Sequence, residues 1–220
     1  RDAPGARRDL LDSGERRRHG GVPLEIDAGT AFGTGHHGTT AGCLLALDAI
    51  LKQRKPKRIL DLGCGTGVLA IAAAQATKRK SLATDIDAEA VRVTRLNATL
   101  NCVGPLINGV TASGLKHGHI ASAAPYDLIF ANILARPLIN LAQGLKTILA
   151  PGGNLILSGL THDQVRWVSA AYRNRGLVCA KTLFMGNWAT LTLSNKRKRP
   201  EHFRAGRLVS NAVGKGWEEA

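Results

Sequence analysis

The chain has 220 residues, of which 44% are hydrophobic and 21% charged, the composition of an ordinary globular domain. No apolar run approaches the roughly 18 residues that a membrane-spanning helix needs, and the first residues contain no apolar signal segment. Thirty Lys and Arg against sixteen Asp and Glu give a net charge of +14, which favours a polyanionic partner such as nucleic acid. Aromatic residues make up only 4%, which argues against an extended base-stacking surface for single strands.

Part of the basic charge lies at the two ends of the chain. Residues 1–21 contain six Arg against four acidic residues and show no sustained apolar periodicity, and the run Lys196–Arg199 opens the C-terminal end. We therefore expect a basic tail or linker over residues 1–21, one folded domain over residues 22–194 and a basic tail over residues 195–220. A run of like charges has two interpretations, a solvated tail and a specific polyanion site, and the first is the commoner.

Cysteine and histidine spacing gives no metal signature. The four cysteines are widely scattered, at Cys43, Cys64, Cys102 and Cys179. The absence of a Cys-x-x-Cys pair argues against a zinc ribbon, and scattered cysteines without a signal segment predict a reducing, cytoplasmic setting. His36 and His37 are adjacent, but no nearby carboxylate or Cys completes a ligand set, so we expect no metal site.

Strand and helix patterns alternate along the middle of the chain. In chain order they predict a helix over 41–51, a strand over 58–62, a helix over 68–76, a strand over 81–86, a helix after Asp87, strands over 106–110 and 127–132, a helix over 137–149, a turn at 151–153, a strand over 154–160, a helix over 164–175, and strands over 177–184 and 188–194. This alternation predicts an α/β fold with a mostly parallel sheet and helices on both faces. The two consecutive strands at the end predict an antiparallel hairpin at one edge.

The segment Leu-Asp-Leu-Gly-Cys-Gly-Thr-Gly, residues 60–67, joins the first of these strands to its helix. Its glycines, Gly63 and Gly65 among them, allow the backbone to approach a ligand closely. A dinucleotide-binding turn reads Gly-x-Gly-x-x-Gly, but its third glycine position is occupied by Val68. The observed Gly-x-Gly-x-Gly, with Asp61 two residues earlier, instead resembles motif I of the class I methyltransferases that bind S-adenosylmethionine. A plain tight turn is the alternative.

Asp85 ends the next strand, 22 residues after Gly63. A carboxylate at this place can accept hydrogen bonds from both ribose hydroxyls of an adenosine, whereas the alternative is a helix cap. Asp87 is expected to cap the following helix. The inner face of that helix is predicted to carry Ala90, Val91, Val93, Thr94 and Ala98.

Asn132 closes the strand over 127–132 and is the candidate catalytic residue. Its carbonyl oxygen can accept a hydrogen bond from a substrate nitrogen and hold the nitrogen lone pair toward a methyl group; a simple strand terminator is the alternative. In methyltransferases of planar amides or adenine, the residues that follow this position are often two prolines and an aromatic residue. Here the continuation is Ile133-Leu134-Ala135, so an aliphatic amine fits better than a base.

The segment Ala31–Thr40 precedes the first predicted helix. Thr39 or Thr40 is a natural N-cap, which is the structural interpretation. Thr40 can also present donors to the carboxylate of a bound methionine moiety at the helix N-terminus.

Together these segments resemble the bacterial methyltransferases of large-subunit ribosomal protein eleven (L11), over about residues 22–194. The specific part is Phe32–His36 combined with Ala131–Ala135, because the glycine turn alone indicates only the superfamily. The resemblance implies a Rossmann-like class I methyltransferase sheet, S-adenosyl-L-methionine as cofactor, and methyl transfer to lysine side chains or the N-terminal amine of L11. The family's cofactor contacts fall on Thr40, Gly63, Asp85 and Asn132.

Two departures from the family pattern are visible. Residues 1–21 do not resemble the family's N-terminal domain, which grips the ribosomal protein, so we expect a linker or a remnant of that domain. The basic C-terminal tail from Lys196 onward is not part of the family pattern either. A smaller difference is Gly38, which stands where the family commonly has a larger residue. The basic balance adds an expectation of proximity to ribosomal RNA, with no membrane partner. Alternatives are a methyltransferase of RNA or another protein, a nicotinamide-dependent dehydrogenase, against which Val68 argues, and a ribosome-associated binding module without catalysis.

Overall fold

The structure is a computed structural model and describes residues 8–10, 24–27 and 38–195. Its strands are β1 (Arg8–Leu10), β2 (Glu25–Asp27), β3 (Ile59–Leu62), β4 (Ser81–Asp85), β5 (Ile107–Thr111), β6 (Tyr126–Asn132), β7 (Leu149–Thr161), β8 (Val178–Met185) and β9 (Trp188–Ser194). Its α-helices are α1 (Gly38–Leu51), α2 (Val68–Thr77), α3 (Ala88–Leu100), α4 (Gly118–Ala123), α5 (Ala135–Ile148) and α6 (Val165–Arg173). Short 3-10 turns cover Gly104–Leu106 and His162–Gln164.

Seven strands form one sheet in the order β5-β4-β3-β6-β7-β9-β8. The first five strands run parallel, and β9 pairs antiparallel with both β7 and β8, which confirms the predicted parallel sheet with an antiparallel C-terminal hairpin. The strand order reverses between β3 and β6. In open α/β sheets, ligands bind at such a switch point, beyond the carboxyl ends of the strands.

Both faces of the sheet are covered by helices, as the alternation predicts. In β6, Leu128 and Phe130 pack into a cluster with residues of α1 and α2, whereas Ile129 and Ala131 pack into a second cluster with α5 and α6. Because successive side chains of a strand point to opposite faces, these two clusters lie on opposite sides of the sheet. The near-continuous apolar run of β6 is therefore explained by burial on both faces.

Several local predictions are confirmed and others are wrong. Asp87 caps α3, accepting the Glu89 N–H at 2.9 Å, and the predicted inner face of α3 is buried. Thr39 and Thr40 lie inside α1 rather than at a cap, because the helix already includes Gly38. The short helix α4 was not predicted, since Ile120 is its one buried residue and a single apolar position gives no periodicity.

The turn predicted at 151–153 lies inside β7. Leu149 pairs with Tyr126 and Asn154 pairs with Leu128, so four residues of β7 bulge opposite a single residue of β6. Asn195, assigned by sequence to the C-terminal tail, closes this bulge. Its backbone N–H donates to Gly153 O at 3.0 Å, and its side chain donates to Leu149 O at 3.0 Å.

The chain ends contribute little to the described structure. Of the predicted tail over 1–21, only β1 is described, and it pairs antiparallel with β2. Leu24 and Ile26, in the described segment 24–27, are buried in the cluster that contains residues of α1 and α2. Residues 196–220 lie outside the described residues, so the domain limits remain a prediction. Among the described helices, none has the length and apolar character needed to cross a membrane.

A second bulge in β7 supports the end of β6. The pairing of β7 with β9 shifts register between Leu157 and Leu160, and Gly159 within this bulge has φ +79°. A Cβ at Gly159 would lie 2.5 Å from the carbonyl oxygen of Ile133. The bulge therefore packs directly against the backbone that follows Asn132.

We expect Gly159→Ala to destabilise the protein more than Gly176→Ala. Both glycines have φ +79°, but a Cβ at Gly176 meets no atom within 4 Å. Left-handed backbone alone costs an alanine about 1–2 kcal/mol, and overpacking adds about 1–3 kcal/mol at Gly159. Urea denaturation of both variants measures the difference, and equal losses of unfolding free energy would contradict the packing argument.

Candidate functional site

The turn between β3 and α2 brings three glycines to the carboxyl edge of the sheet. Gly63, Gly65 and Gly67 have φ of +73°, +53° and +81°, values that L-residues with a side chain rarely adopt. The N–H groups of Gly63 and Cys64 both donate to Thr84 O, at 2.8 and 3.0 Å, which fastens the turn to β4. This geometry explains the glycine spacing found in the sequence.

The same turn contacts the chain that follows Asn132. A Cβ at Gly63 would collide with the side chain of Ile133. Gly63 therefore provides a close approach between the end of β3 and the end of β6, the two central strands where the strand order reverses. A bulkier residue would separate them.

Asp85 lies at the end of β4 beside the glycine turn. Its Oδ2 accepts the Gly65 N–H at 2.9 Å, and its Oδ1 accepts the Asp87 N–H at 3.1 Å. The cap of α3 is Asp87, so the helix-cap alternative for Asp85 is wrong. Each carboxylate oxygen retains capacity for further hydrogen bonds. The next residue, Ile86, is 74% exposed at the same edge, an unusual place for a large apolar side chain.

Asn132 at the end of β6 meets the first turn of α1. Its Nδ2 donates to Thr39 Oγ1 over 3.4 Å, and its side chain makes no other hydrogen bond to the residues that the structure describes. The side-chain oxygen of Asn132, Oδ1, can therefore accept a hydrogen bond from a bound molecule. Leu134, two residues further, is 73% exposed.

The C-terminal hairpin holds the start of α1 in place. A Cβ at Gly38 would lie 2.9 Å from Met185 O and 3.2 Å from Trp188 Cδ1. In this chain a larger residue at position 38 would push α1 away from the β8–β9 hairpin. Glycine at this position therefore lets Thr39 and Thr40 stay beside the carboxyl edge.

Two buried polar atoms at this edge lack partners among the described residues. They are Oδ1 of Asp61, whose other oxygen accepts the Ala70 N–H at 3.0 Å, and Oγ1 of Thr40. Asp61 is only 1% exposed, and burial, with a smaller contribution from the charge of Asp85, raises its pKa to about 7. A buried acceptor without a donor is costly, which points to a ligand that supplies one.

Other candidate chemistry is not supported by the site. Burial raises the pKa of the Cys43 and Cys64 thiols, so neither supplies a thiolate nucleophile at neutral pH. Within residues 38–195 and the two short described strands, no three His, Cys, Asp or Glu side chains come together. His36 and His37, like the rest of the segment over 28–37, lie outside the described residues.

All five predicted site residues occupy one edge of the sheet. They are Thr40, Gly63, Gly65, Asp85 and Asn132, contributed by α1 and by the carboxyl ends of β3, β4 and β6. Their roles remain predictions. Sequence reasoning did not assign Asp61 to the site, although a carboxylate inside an apolar run was an available signal. Ile86 and Leu134 carried no such signal, because apolar residues next to strands usually belong to the core.

Comparison with known proteins identifies the family. The family model described as "Ribosomal protein L11 methyltransferase (PrmA)" matches residues 12–196. Proteins named ribosomal protein L11 methyltransferase from Caulobacter sp. (strain K31) and Bradyrhizobium diazoefficiens are 54% and 53% identical over 172 residues. The matches cover 78% of this chain and 59% and 58% of those proteins. The chain thus spans about three fifths of the length of these relatives.

Solved structures agree with the fold. The ribosomal protein L11 methylase of Lactobacillus delbrueckii subsp. bulgaricus superposes with a TM-score of 0.70 and 32% identity, covering 78% of this chain and 84% of that one. An RNA methyltransferase of Salinibacter ruber, solved with S-adenosyl-L-homocysteine, has a TM-score of 0.54 and 19% identity, covering 71% and 94%, and so shows only the shared Rossmann-like fold. The chain belongs to the ribosomal protein L11 methyltransferase family.

Proposed function

We propose that this chain transfers methyl groups from S-adenosyl-L-methionine to amino groups of ribosomal protein L11, on lysine side chains or the N-terminus. Support comes from the family and from one observation, two buried polar atoms at the carboxyl edge, Asp61 Oδ1 and Thr40 Oγ1, that have no hydrogen-bond partner among the described residues. In this proposal residues 22–194 are the catalytic domain, acting in the cytoplasm and near ribosomal RNA.

The amino-acid end of the cofactor fits these two atoms. An α-ammonium group supplies the donor that Asp61 Oδ1 lacks, and the charge pair favours the ionised carboxylate. An α-carboxylate can accept a hydrogen bond from the Thr40 hydroxyl at the positive end of the α1 dipole. Gly63 has a positive φ and packs closely against Ile133. Because glycine has no side chain, nothing at position 63 occupies this edge.

The adenosine end fits the end of β4. Asp85 is held by the Gly65 and Asp87 N–H groups, so its carboxylate is oriented before a ligand arrives, and its remaining lone pairs can accept two ribose hydroxyls. The exposed Ile86 side chain offers apolar surface next to that carboxylate. Burying Ile86 under an adenine ring would remove this surface from water.

Asn132 is proposed to orient the substrate amine. When bound, S-adenosyl-L-methionine supplies an electrophilic methyl group on a sulfonium. The carbonyl oxygen of Asn132 accepts a hydrogen bond from the amine N–H, which fixes the direction of the nitrogen lone pair. A lysine amine with an ordinary pKa of about 10.4 must first lose a proton, which passes to water in this proposal, and a partly desolvated, cationic site favours the neutral form.

The direct test is mass spectrometry of L11 after incubation with this chain and S-adenosyl-L-methionine. We expect mass increments of whole methyl groups on L11, and Asn132→Ala should lower turnover by about 100-fold while changing the Kd of S-adenosyl-L-homocysteine much less, because Asn132 acts on the amine. Asn108→Ala, an exposed asparagine of β5, is the control. Methylation of ribosomal RNA instead of L11, or normal turnover of Asn132→Ala, would overturn the assignment.

Asp85→Asn should weaken S-adenosyl-L-homocysteine binding by about 10- to 100-fold, because a charge-assisted acceptor of ribose hydroxyls and of the Gly65 N–H is lost. Asp87→Asn removes the same charge two residues away and keeps an oxygen that can cap α3. Isothermal titration calorimetry should therefore find Asp87→Asn close to the wild type. Equal weakening in both variants would indicate a general charge effect.

Ligand affinity should also depend on the ionisation of Asp61. Its pKa is about 7 in the free protein, so lowering the pH from 7.5 to 5.5 protonates the carboxyl that the ligand ammonium needs. We expect the Kd of S-adenosyl-L-homocysteine to rise by the order of tenfold over this range, with proton release on binding near pH 6. Calorimetry on Asp61→Asn should give weaker binding at pH 7.5 and little pH dependence; retained pH dependence would exclude Asp61 as its source.

A further inference from the structure

Two buried side chains of α3 bind the carbonyl groups of the glycine turn. Thr94 Oγ1 donates to Gly65 O at 3.0 Å, and Asn97 Nδ2 donates to Thr66 O at 2.9 Å. Both side chains are fully buried. They lie three residues apart, which places them on one face of the helix.

Gly65 is thereby held on both sides. Its N–H donates to the Asp85 carboxylate and its C=O accepts from Thr94. Backbone with φ +53° belongs to no helix or strand ladder, so these polar groups depend on side chains for their partners. The Thr94 hydroxyl therefore fixes the Gly65–Thr66 peptide, which limits rotation at Gly65 and so steadies the adjoining Cys64–Gly65 peptide, whose N–H orients the carboxylate at the end of β4.

The methyl group and the hydroxyl of Thr94 have separate contacts. A Cβ at Gly67 would lie 2.6 Å from Thr94 Cγ2, so the methyl packs against the last glycine of the turn. The hydroxyl also lies 3.3 Å from Cys64 Sγ. Packing and hydrogen bonding by this residue can therefore be separated by substitution.

We infer that Thr94 and Asn97 are positioning residues for the cofactor turn, acting through the Gly65 and Thr66 carbonyls rather than by touching the ligand. This inference rests on the proposed cofactor. It assigns a binding role to a helix face whose sequence pattern indicates only core packing. Removing either donor takes one hydrogen bond from a carbonyl of the turn. The peptide of that carbonyl can then rotate, and the change passes along the turn to the Cys64–Gly65 peptide that Asp85 holds.

The test compares Thr94→Val with Thr94→Ser. Valine keeps the shape and loses the hydroxyl, whereas serine keeps the hydroxyl and loses the methyl. We expect the Kd of S-adenosyl-L-homocysteine to rise about tenfold in Thr94→Val and by less than about twofold in Thr94→Ser. The kcat at saturating cofactor should change little. The opposite order, with serine the weaker binder, would show that packing alone matters and overturn the inference.

Two further measurements separate positioning from stability. Tyr126→Phe removes another buried hydroxyl, which donates to Ile120 O at 2.9 Å, remote from the turn. We expect it to lower the unfolding free energy as Thr94→Val does and to leave the Kd unchanged. Asn97→Leu should weaken binding in the same direction as Thr94→Val. A Kd that rises equally in Tyr126→Phe would overturn the inference.

Hydrogen exchange of the free protein measures the hold on the turn without a ligand, and therefore independently of the proposed function. Thr94→Val should accelerate exchange of the amides of residues 63–67, and Thr94→Ser should not. If the wild-type chain binds no S-adenosyl-L-homocysteine, the proposed function fails, while faster exchange in Thr94→Val alone still supports the hold on the turn. Unchanged exchange in Thr94→Val would overturn the inference.

Discussion

The chain must leave β3, reverse direction and enter α2 within residues 63–67, and three left-handed glycines make this possible. Such a turn forms few bonds of its own, so its N–H groups donate to Thr84 O and to Asp85, and its carbonyls accept from α3. Because these partners belong to β4 and α3, the geometry of the turn depends on the packing of the whole β3–β4–α3 unit. The site is thus a product of the fold, although the hydrogen bonds that hold the turn are not part of the regular backbone pairing of a helix or a sheet.

The cost of this arrangement is concentrated at Asp61. This carboxyl is almost fully buried, one of its oxygens has no partner among residues 38–195 or the two short described segments, and a second carboxylate is near, so its ionised form is destabilising. An apolar residue at this place in β3 would stabilise the free protein more. A carboxyl that lowers stability at the carboxyl edge of the sheet is the reason for proposing Asp61 as a binding residue, since a bound cation would offset its desolvation.

The sequence predicts most of the framework and only part of the site. The parallel strands, the Asp87 cap and the terminal hairpin follow from periodicity and capping rules that act locally. The bulges in β7 do not follow from local rules, because they are determined by contacts with other parts of the chain, such as that of Gly159 with Ile133. Of the five predicted site residues, Gly63, Gly65, Asp85 and Asn132 were chosen because each follows or ends a strand, and Thr40 because it precedes a predicted helix. Asp61 was predicted only as part of the glycine motif and Ile86 not at all, because the burial of one and the exposure of the other are set by neighbouring strands and not by the local pattern.

The proposed activity has two parts, cofactor binding and orientation of the substrate amine. Every residue argued to hold the cofactor lies between Thr40 and Asn132, on elements whose anchors are within the described structure. The chain spans about three fifths of the length of the relatives it matches. Asn132 is where the proposed cofactor site and the proposed amine site meet, because its Nδ2 donates to Thr39 of α1 and its Oδ1 makes no hydrogen bond to the described residues.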